Sequence, residues 1–338
     1  MKPTIKDIAR RVGKSITTVS RALNDYDDIS DETKQLVRQA AEEMGYIPNA
    51  TAQRLQKRTT DTIGLILPTF GPRFSDPFFS EFLSGVGNQA SEMGFDMLVA
   101  TRTPGDQEMQ SYRSDVATHR VDGFIIVRTR CDDPRIAFLK QAGFPFVAFG
   151  RVSGDSEFPY VDEDGRFGLA SIIEHLIDFG HRKIALITAP DNLTFTRHRL
   201  EGASSAMRER GLEIASDHLQ VGDLTQRGGY EAAQRLLDLP NPPTAIAAFN
   251  DLMAIGAMSA VQERGLSVGK QISITGFDNI PMAEHAHPTL TTVDQPIYQI
   301  GRRVCDLLIR MIRNEPPTET QVILKPRLIM RRSTGPAA

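Results

Sequence analysis

The sequence has no tryptophan and only two cysteines among its 338 residues. Cys131 and Cys305 stand alone, without CxxC or Cys/His spacing, so neither a disulfide framework nor a structural zinc site is expected, and both are predicted to be buried thiols. No run reaches the roughly 18 uncharged apolar residues of a membrane span, and residues 1–7 lack the apolar core of a signal peptide. We therefore expect a cytoplasmic protein without a membrane partner.

Motifs of the common enzyme classes are missing too. The sequence contains no GxSxG or HExxH, and the stretch 265–270 has the wrong spacing for a phosphate-binding P-loop. Gly85-Val86-Gly87 begins a GxGxxA match, but it lies inside a predicted helix instead of directly after a strand. His285 and His287 are weak evidence for a metal. We expect no enzyme activity, no catalytic residue, no metal and no cofactor.

Positive charge is concentrated at the start of the chain, although the whole sequence carries a net charge of −3. Residues 1–60 hold eleven basic side chains against eight acidic ones, a net +3, and the remainder carries −6. Within residues 1–24, six basic groups accompany a single acid, Asp7. A basic end on an acidic body steers that end toward phosphates.

The first 45 residues have the pattern of three short helices. Thr4 is predicted to cap the first, with Asp7 completing a capping box, and Gly13 to end it. Ser15 is predicted to cap a second helix, and a third is predicted over 30–44 with a glycine stop. The apolar residues at helical spacing are expected to form a small core: Ile5, Ile8, Ala9, Val12, Val19, Ala22, Leu23, Leu36, Val37, Ala40, Ala41 and Met44.

Two helices joined by a tight turn can place the second in the major groove of DNA, where its first turn meets base edges. Ile16 and Thr17 are the candidates for base contact, and Ile16 suits a thymine methyl group. Candidates for phosphate or supporting contacts are Thr4, Ser15, Thr18, Ser20, Arg21 and Asn24. On spacing alone, a three-helix cap that binds nothing is the alternative.

Two runs of this sequence resemble the headpiece of the lactose-repressor (LacI/GalR) family of bacterial regulators: TIKDIARRVGKSITTVSRALND and DETKQLVRQAAEEMGYIPNATAQRLQ. The first ends its helix-turn-helix in Val19-Ser20-Arg21. The second contains Gly45-Tyr46, then Pro48-Asn49, Ala52 and Leu55. The resemblance implies a sequence-specific DNA-binding transcription regulator, and it argues against the inert cap.

A short connecting segment follows at 49–60, where Asn49 begins a predicted helix of barely two turns. Isolated helices shorter than roughly 12 to 15 residues are marginal in water, so we expect fraying without DNA. The resemblance implies that two copies pair over the operator centre and each pushes Leu55 into the minor groove, which kinks the duplex. Ala52 and Arg54 are supporting positions beside Asn49. A linker leucine packed on the body is the alternative for Leu55.

From residue 61 onward the pattern changes to short apolar runs separated by amphipathic helices. Strands are predicted at 63–67, 95–100, 123–127, 146–149, 160–162, 184–188, 245–249 and 272–276, and helices at 79–93, 107–119 and 134–142. This alternation is typical of two successive parallel-sheet lobes. Ligands of such sheets bind beyond the carboxyl ends of the strands, so a cleft between the lobes is the expected site.

The resemblance covers essentially the whole chain and implies a body like a periplasmic sugar-binding protein. The expected organisation is an all-α headpiece at 1–48, a hinge helix and linker at 49–60, and a two-lobed effector-binding and dimerisation domain at 61–338. The chain is expected to cross between lobes near 161, 292 and 321. The amino lobe then combines 61–160 with 293–320, and the carboxyl lobe combines 162–291 with 322–332.

Polar positions that match the family's effector contacts are Arg199, Asn250, Asp278 and Gln295. The resemblance places Arg199 against effector hydroxyls or a carboxylate. Asn250 and Asp278 follow two predicted strands, and Gln295 lies at a crossing. Such donors and acceptors suit sugar hydroxyls. A turn-capping role is the alternative for Asp278.

Phe78 and Phe79 are expected to offer an apolar face to a sugar ring, and plain core packing is their alternative. Arg128, Arg130 and Arg151 follow strand ends without a family match, so the sequence favours none of them as an effector contact.

The expected function is a repressor of carbohydrate uptake or catabolism genes that a mono- or disaccharide releases from its operator. A homodimer is expected because one headpiece reads only half of a pseudo-palindromic site. The chain ends without a heptad tail, so a four-chain assembly is not expected. Corepression, in which the effector strengthens DNA binding, is one alternative. A ligand-binding protein without DNA function is another.

Overall fold

The computed structural model describes residues 3–46, 59–69, 76–154, 157–315 and 319–337. The chain divides into two compact units, Met1–Thr60 and Asp61–Ala338. The helices are α1 Ile5–Val12, α2 Ile16–Leu23, α3 Asp31–Glu43, α4 Pro77–Glu92, α5 Asp106–Ala117, α6 Pro134–Ala142, α7 Gly165–Asp178, α8 Thr194–Glu209, α9 Gln226–Leu237, α10 Asp251–Glu263, α11 Pro281–His285 and α12 Ile297–Ile312. Among these described helices, none combines the length and the apolar character that crossing a bilayer requires.

The strands are β1 Thr62–Pro68, β2 Asp96–Arg102, β3 Gly123–Ile126, β4 Phe146–Phe149, β5 Tyr160–Glu163, β6 Ile184–Thr188, β7 Leu219–Val221, β8 Ala245–Ala248, β9 Ser273–Thr275, β10 Thr292–Asp294, β11 Gln321–Leu324 and β12 Arg327–Ile329. All belong to the second unit. The sequence predicted eight of them within two residues at either end, and it missed β7, β10, β11 and β12, which have three or four residues each. Strands this short carry little periodicity.

Local chemistry sets the helix ends of the first unit as the sequence predicts. The backbone N–H and the hydroxyl of Thr4 donate to the Asp7 carboxylate at 2.9 and 2.7 Å. Gly13 ends α1 with φ +66°, a left-handed conformation that costs glycine little. The Ser15 hydroxyl accepts the N–H of Thr18 at 3.0 Å and so caps α2.

The core of the first unit gathers Ile8, Ala9, Val19, Ala22, Val37, Ala40 and Ala41. Leu36, which was expected in this core, is 46% exposed, so that prediction is wrong. The buried stripe of α3 runs through Val37, Ala40 and Ala41, and Leu36 lies at its margin, one residue before Val37. Leu36 is therefore a surface leucine.

The first lobe of the second unit is a six-stranded sheet with the order β11-β5-β4-β3-β1-β2. Its strand pairs are all parallel. Helices α4 and α12 pack together on this lobe at very short range. A Cβ atom added to Gly85 would lie 2.2 Å from the carbonyl oxygen of Tyr298, and one added to Gly301 would lie 2.5 Å from that of Phe82. Glycine at 85 therefore serves helix packing, in line with the rejection of a nucleotide motif there.

The second lobe is a four-stranded parallel sheet with the order β7-β6-β8-β9. Strands β10 and β12 form a separate antiparallel pair. The core of the second lobe includes the fully buried strands β6 and β8 and one face of each of α7, α9 and α10. Burying one large apolar side chain stabilises a fold by about 1.5–3 kcal/mol, so this core anchors the strand ends that bear polar residues.

Two lobe boundaries differ from the prediction. Strand β5 pairs with β4, and β11 pairs with β5, so Tyr160–Glu163 and Gln321–Leu324 both belong to the first sheet. The expected crossings near 161 and 321 therefore fall after Glu163 and after Leu324. Apolar patterning marks a strand but does not identify its partner, so the sequence alone could not assign these two strands to a lobe.

Candidate functional site

A cleft lies where the carboxyl ends of strands from the two sheets face each other. Residues that follow β3, β4, β8 and β9 line it, as expected for parallel sheets. All six residues predicted from the sequence line this cleft: Phe78, Phe79, Arg199, Asn250, Asp278 and Gln295. The fold thus brings together positions that span more than 200 residues of sequence.

Arg199 on α8 is only 4% exposed and makes contacts on several sides. Its Nη2 donates to Glu163 at 2.8 Å, and its Nη1 donates to the backbone carbonyl of Phe249. The guanidinium lies over the rings of Phe277 and Phe195, 3.6 and 4.7 Å from their centroids. Its Nε is buried and has no hydrogen-bond partner among the described residues. Arg199 is thus held in one orientation, and its Nε–H is left without a partner among the described residues.

Asp278 and Gln295 form the second polar pair of the cleft. Gln295 Nε2 donates to Asp278 Oδ1, while the buried Gln295 Oε1 has no partner within the described part of the chain. Burial raises the pKa of Asp278 well above its usual value, and the nearby Arg199 opposes this rise. Asp278 has φ +119°, a strained backbone conformation for a residue with a side chain, and such strain clusters at functional sites.

Asn250 differs from the other predicted polar contacts because both ends of its side-chain amide are hydrogen-bonded within the protein. Its Oδ1 accepts the N–H of Met253 at 2.9 Å and caps α10, and its Nδ2 donates to the carbonyl of Leu224 at 3.1 Å. The amide is therefore already used by the protein, although it lines the cleft. Its structural effect is to hold the start of α10 and the Leu224 loop together.

The two predicted aromatic residues differ in exposure. Phe79 is 1% exposed and packs in the core of the first lobe, whereas Phe78 is half-buried. The Phe78 ring stacks on Phe149 with a centroid distance of 5.8 Å and an interplanar angle of 12°. Phe149, at the end of β4, also lines the cleft and was missed by the sequence analysis. An aromatic residue at the end of a buried strand is common in protein cores, so this sequence feature does not by itself indicate a binding site.

Several charged residues of the cleft were not predicted as contacts. Arg128 and Arg151, which the sequence did not favour as contacts, line the cleft together with Asp76, Asp162 and Glu163. Arg130, considered on the same grounds, does not line it; its guanidinium binds Glu108 at 2.6 Å. The position of the two arginines just after strands was the one sequence feature that could have indicated a cleft contact. No neighbouring residue indicated such a contact for the three acids.

The predicted base-contacting residues lie at the start of α2. Ile16 is 45% exposed, and Thr17 is exposed beside it. Arg21 is bound by Asp28 at 2.7 Å and lies 4.8 Å from the Tyr26 ring centroid. A surface ion pair of this kind contributes roughly 0–1 kcal/mol, so a phosphate can compete for Arg21.

The supporting residues of the first unit largely stabilise its helix ends. Thr18 and Ser15 hydroxyls lie 2.8 Å apart, and the Asn24 amide donates to the carbonyl of Ser20 at 2.8 Å. The predicted hinge contacts Asn49, Ala52, Arg54 and Leu55 lie outside the described residues. The described residues therefore offer Ile16 and Thr17 as the exposed pair at the helix start.

A small helical unit with an exposed turn on α2, joined to a two-lobed α/β body with a polar cleft, defines a ligand-responsive DNA-binding regulator. Residues 4–49 match the family described as bacterial regulatory proteins, lacI family. Residues 60–332 match the family of periplasmic binding proteins and the sugar binding domain of the LacI family.

Curated relatives agree over the full length. The HTH-type transcriptional regulator AglR of Rhizobium meliloti (strain 1021) is 37% identical, covering 100% of this chain and 96% of its own. The regulator CelR of Thermobifida fusca is 33% identical, covering 98% of each. This chain belongs to the LacI family of bacterial regulatory proteins. It is a DNA-binding transcription regulator and not an enzyme.

Solved structures give the same result. A complex of the transcriptional regulator CelR with cellobiose aligns with a TM-score of 0.76 and 33% identity over 98% of this chain and 99% of its own. The Lac repressor dimer bound to operator and the anti-inducer ONPF aligns with a TM-score of 0.85 and 26% identity over 99% of this chain and 100% of its own. Both resemble this chain across headpiece and body.

Proposed function

We propose that this regulator is a repressor of carbohydrate genes that binds operator DNA as a homodimer in the cytoplasm and is released by a mono- or disaccharide. The observation that carries the effector part is the cleft. The four polar and two aromatic residues predicted from the sequence converge there, and two buried polar atoms, Arg199 Nε and Gln295 Oε1, have no described partner. Buried polar groups are normally hydrogen-bonded, so these two suit a ligand.

The chemistry of the cleft fits a sugar. One N–H donor and one carbonyl acceptor suit hydroxyl groups, which both donate and accept. The Phe78–Phe149 stack supplies an apolar face for the C–H side of a ring. The relative CelR was solved with cellobiose, which makes cellobiose the first sugar to try.

The DNA half of the proposal assigns Ile16 and Thr17 to base edges of the major groove. Thr4, Ser15, Thr18, Ser20, Arg21 and Asn24 then serve phosphates or hold the helix ends. We assign Leu55 to the minor groove, with Asn49, Ala52 and Arg54 beside it. Two copies reading one half-site each require a pseudo-palindromic operator.

Contacts between the lobes support a coupling of the cleft to DNA binding. Thr129, after β3 of the first lobe, accepts the N–H of Thr194 of the second lobe at 3.0 Å. Cys131 donates its N–H to the carbonyl of Asn192 at 2.9 Å. A sugar that touches Phe78 of one lobe and Arg199 of the other favours one lobe arrangement. Allosteric coupling of this kind is typically about 1–3 kcal/mol.

Selection of binding sequences from a random duplex pool tests the DNA half. We expect the purified chain to enrich a pseudo-palindrome, and failure to enrich any sequence would refute DNA readout. The selected duplex, labelled for fluorescence anisotropy, then reports the effector. We expect a sugar to lower operator affinity by about 5- to 150-fold, the range of ordinary allosteric coupling. An affinity that rises with sugar would replace induction by corepression.

A further inference from the structure

The charged residues of the cleft are matched to one another in ion pairs. Arg128 binds Asp76 at 2.9 Å, Arg151 binds Asp162 at 2.7 Å, and Arg199 binds Glu163 at 2.8 Å. These are all of the arginines among the described lining residues, which include no lysine or histidine. A fourth carboxylate, Asp278, lies 4.0 Å from Arg199, which Glu163 already holds. The described lining therefore carries more acidic groups than basic ones.

The three pairs are shielded from water. The side chains of Arg128 and Asp76 are each 15% exposed. Arg151 is 23% exposed and its partner Asp162 is 5% exposed. Arg199 and Glu163 are 5% and 4% exposed. Attraction between charges strengthens as water is excluded. An incoming anion must therefore break a buried ion pair or enter a lining in which every described arginine is already held by an acid, and either step is unfavourable.

The atoms left unpartnered have a different character. Arg199 Nε is an N–H donor and Gln295 Oε1 is a carbonyl acceptor, and neither has a partner among the described residues. A hydroxyl group satisfies both types, whereas a carboxylate or phosphate only accepts. The two unpartnered atoms thus match hydroxyl groups, and discrimination against acidic sugars depends on the paired charges of the lining.

We propose that the cleft selects neutral sugars over sugar acids and sugar phosphates, and that Asp76 sets this selectivity by occupying Arg128. The proposal deepens and rests on the sugar-effector function given above. Asp76 is the acid best suited to a test, because Asp162 also binds the N–H of Glu163 and Glu163 holds the second lobe through Arg199. The Asp76 side chain also caps α4 through the N–H of Phe78 at 3.2 Å, a role that asparagine preserves.

The experiment compares the full chain with its Asp76→Asn variant, in which Arg128 is released. Each is titrated calorimetrically with glucose, galactose, maltose and cellobiose, and with glucuronate, galacturonate and glucose 6-phosphate. We expect the wild type to bind at least one neutral sugar and none of the acids. In Asp76→Asn the ratio of acid affinity to neutral affinity should rise by at least about tenfold, the effect of one charge-assisted contact.

Asp178→Asn is the matched control, because Asp178 pairs with Arg210 at 3.1 Å on the surface and lies outside the cleft lining. Its affinity ratio should equal that of the wild type, and a matching rise would remove the role of Asp76. Strong binding of an acid by the wild type, or no gain in a folded Asp76→Asn, would overturn the selectivity while leaving a sugar-responsive regulator. If the wild type bound none of the sugars tested, both the selectivity and the proposed effector class would be overturned.

Discussion

The guanidinium of Arg199 lies 3.6 Å from the centroid of the Phe277 ring while its Nη2 binds Glu163 at 2.8 Å. Phe277 follows β9 of the second lobe, and Glu163 belongs to β5 of the first. Arg199 therefore connects the two lobes and faces the cleft at the same time. A ligand that binds its free Nε acts directly on a contact between the lobes.

Arg199→Lys is expected to weaken sugar binding by about 10- to 100-fold. Lysine keeps the charge, but its three N–H groups sit on one nitrogen and cannot reach Glu163, Phe249 and a ligand at the separate positions that the planar guanidinium reaches. Calorimetry with the neutral sugar that binds the wild type measures the loss. Arg208→Lys, an exposed arginine on the same helix, is the control and should bind like the wild type. Equal affinities of the two variants would exclude a ligand role for Arg199.

Asp278→Asn is expected to abolish release from operator DNA at sugar concentrations that release the wild type. Asparagine tolerates the positive φ of this position and retains the Gln295 contact, so the substitution replaces one carboxyl oxygen with an amide nitrogen. Operator affinity without sugar should stay unchanged, because Asp278 lies in the body. Anisotropy titrations in the presence and absence of sugar give both quantities. Normal release by this variant would count against our placement of the effector.

Thr194→Pro is expected to weaken sugar binding about fivefold. The substitution removes the N–H that Thr129 accepts, a bond between the lobes with a net value of about 1 kcal/mol. Proline is compatible with the first position of α8, and the preceding Leu193 is already extended at ψ +130°. Gln226→Pro, at the first position of α9, is the matched control. A similar loss in both variants would attribute the effect to the helix start and not to lobe closure.

Ile16→Ala is expected to lower affinity for the selected operator by roughly tenfold or more, since one good base contact discriminates by about 1–3 kcal/mol. Thermal stability should hardly change because Ile16 is 45% exposed. Leu36→Ala provides a matched control, with an apolar side chain that is 46% exposed on α3. If both variants lose the same affinity, exposed apolar area and not base contact explains the effect.

We expect Asp251 to lower the free energy of unfolding as the pH rises from 5 to 7. Burial raises the pKa of its carboxyl to about 7 despite hydrogen bonds from Thr292 and the N–H of Ile280. Between the unfolded value near 3.8 and this pKa, the folded chain holds a proton that the unfolded chain has released. Unfolding becomes easier through that window, by about 2 to 3 kcal/mol from pH 5 upward, and the effect levels off above pH 7.

Urea unfolding of the wild type and Asp251→Asn at pH 5.0 and 7.5 isolates this contribution. Asp278 and Asp162 also have raised pKa values, so the wild-type change alone is not specific. The difference between the two proteins belongs to Asp251. An identical pH dependence in both would mean that Asp251 stays ionised throughout.

The sequence predicted features whose causes are local. The Thr4–Asp7 capping pair, the Gly13 helix end and the Ser15 cap depend on residues within a few positions of one another. The alternation of strands and helices then placed Asn250 and Asp278 at the carboxyl ends of two strands. The roles of Arg199 and Gln295 came from family resemblance, since neither position is marked by periodicity.

Long-range partners account for what the sequence missed. Asp76 and Arg128 are 52 residues apart, and either alone is an ordinary charged residue. The lobe to which β5 and β11 belong depends on which strand edge they meet, which patterning does not specify. The exposure of Leu36 depends on where the stripe of α3 meets its neighbours.

The close approach of α4 and α12 at Gly85 and Gly301 has a mechanical consequence. With backbone meeting backbone and no side chain between them, the two helices have little freedom to slide or rock independently. The start of α4 carries Phe78, and α12 begins two residues beyond Gln295. We therefore expect a displacement at the cleft to move α4 and α12 together as one rigid pair.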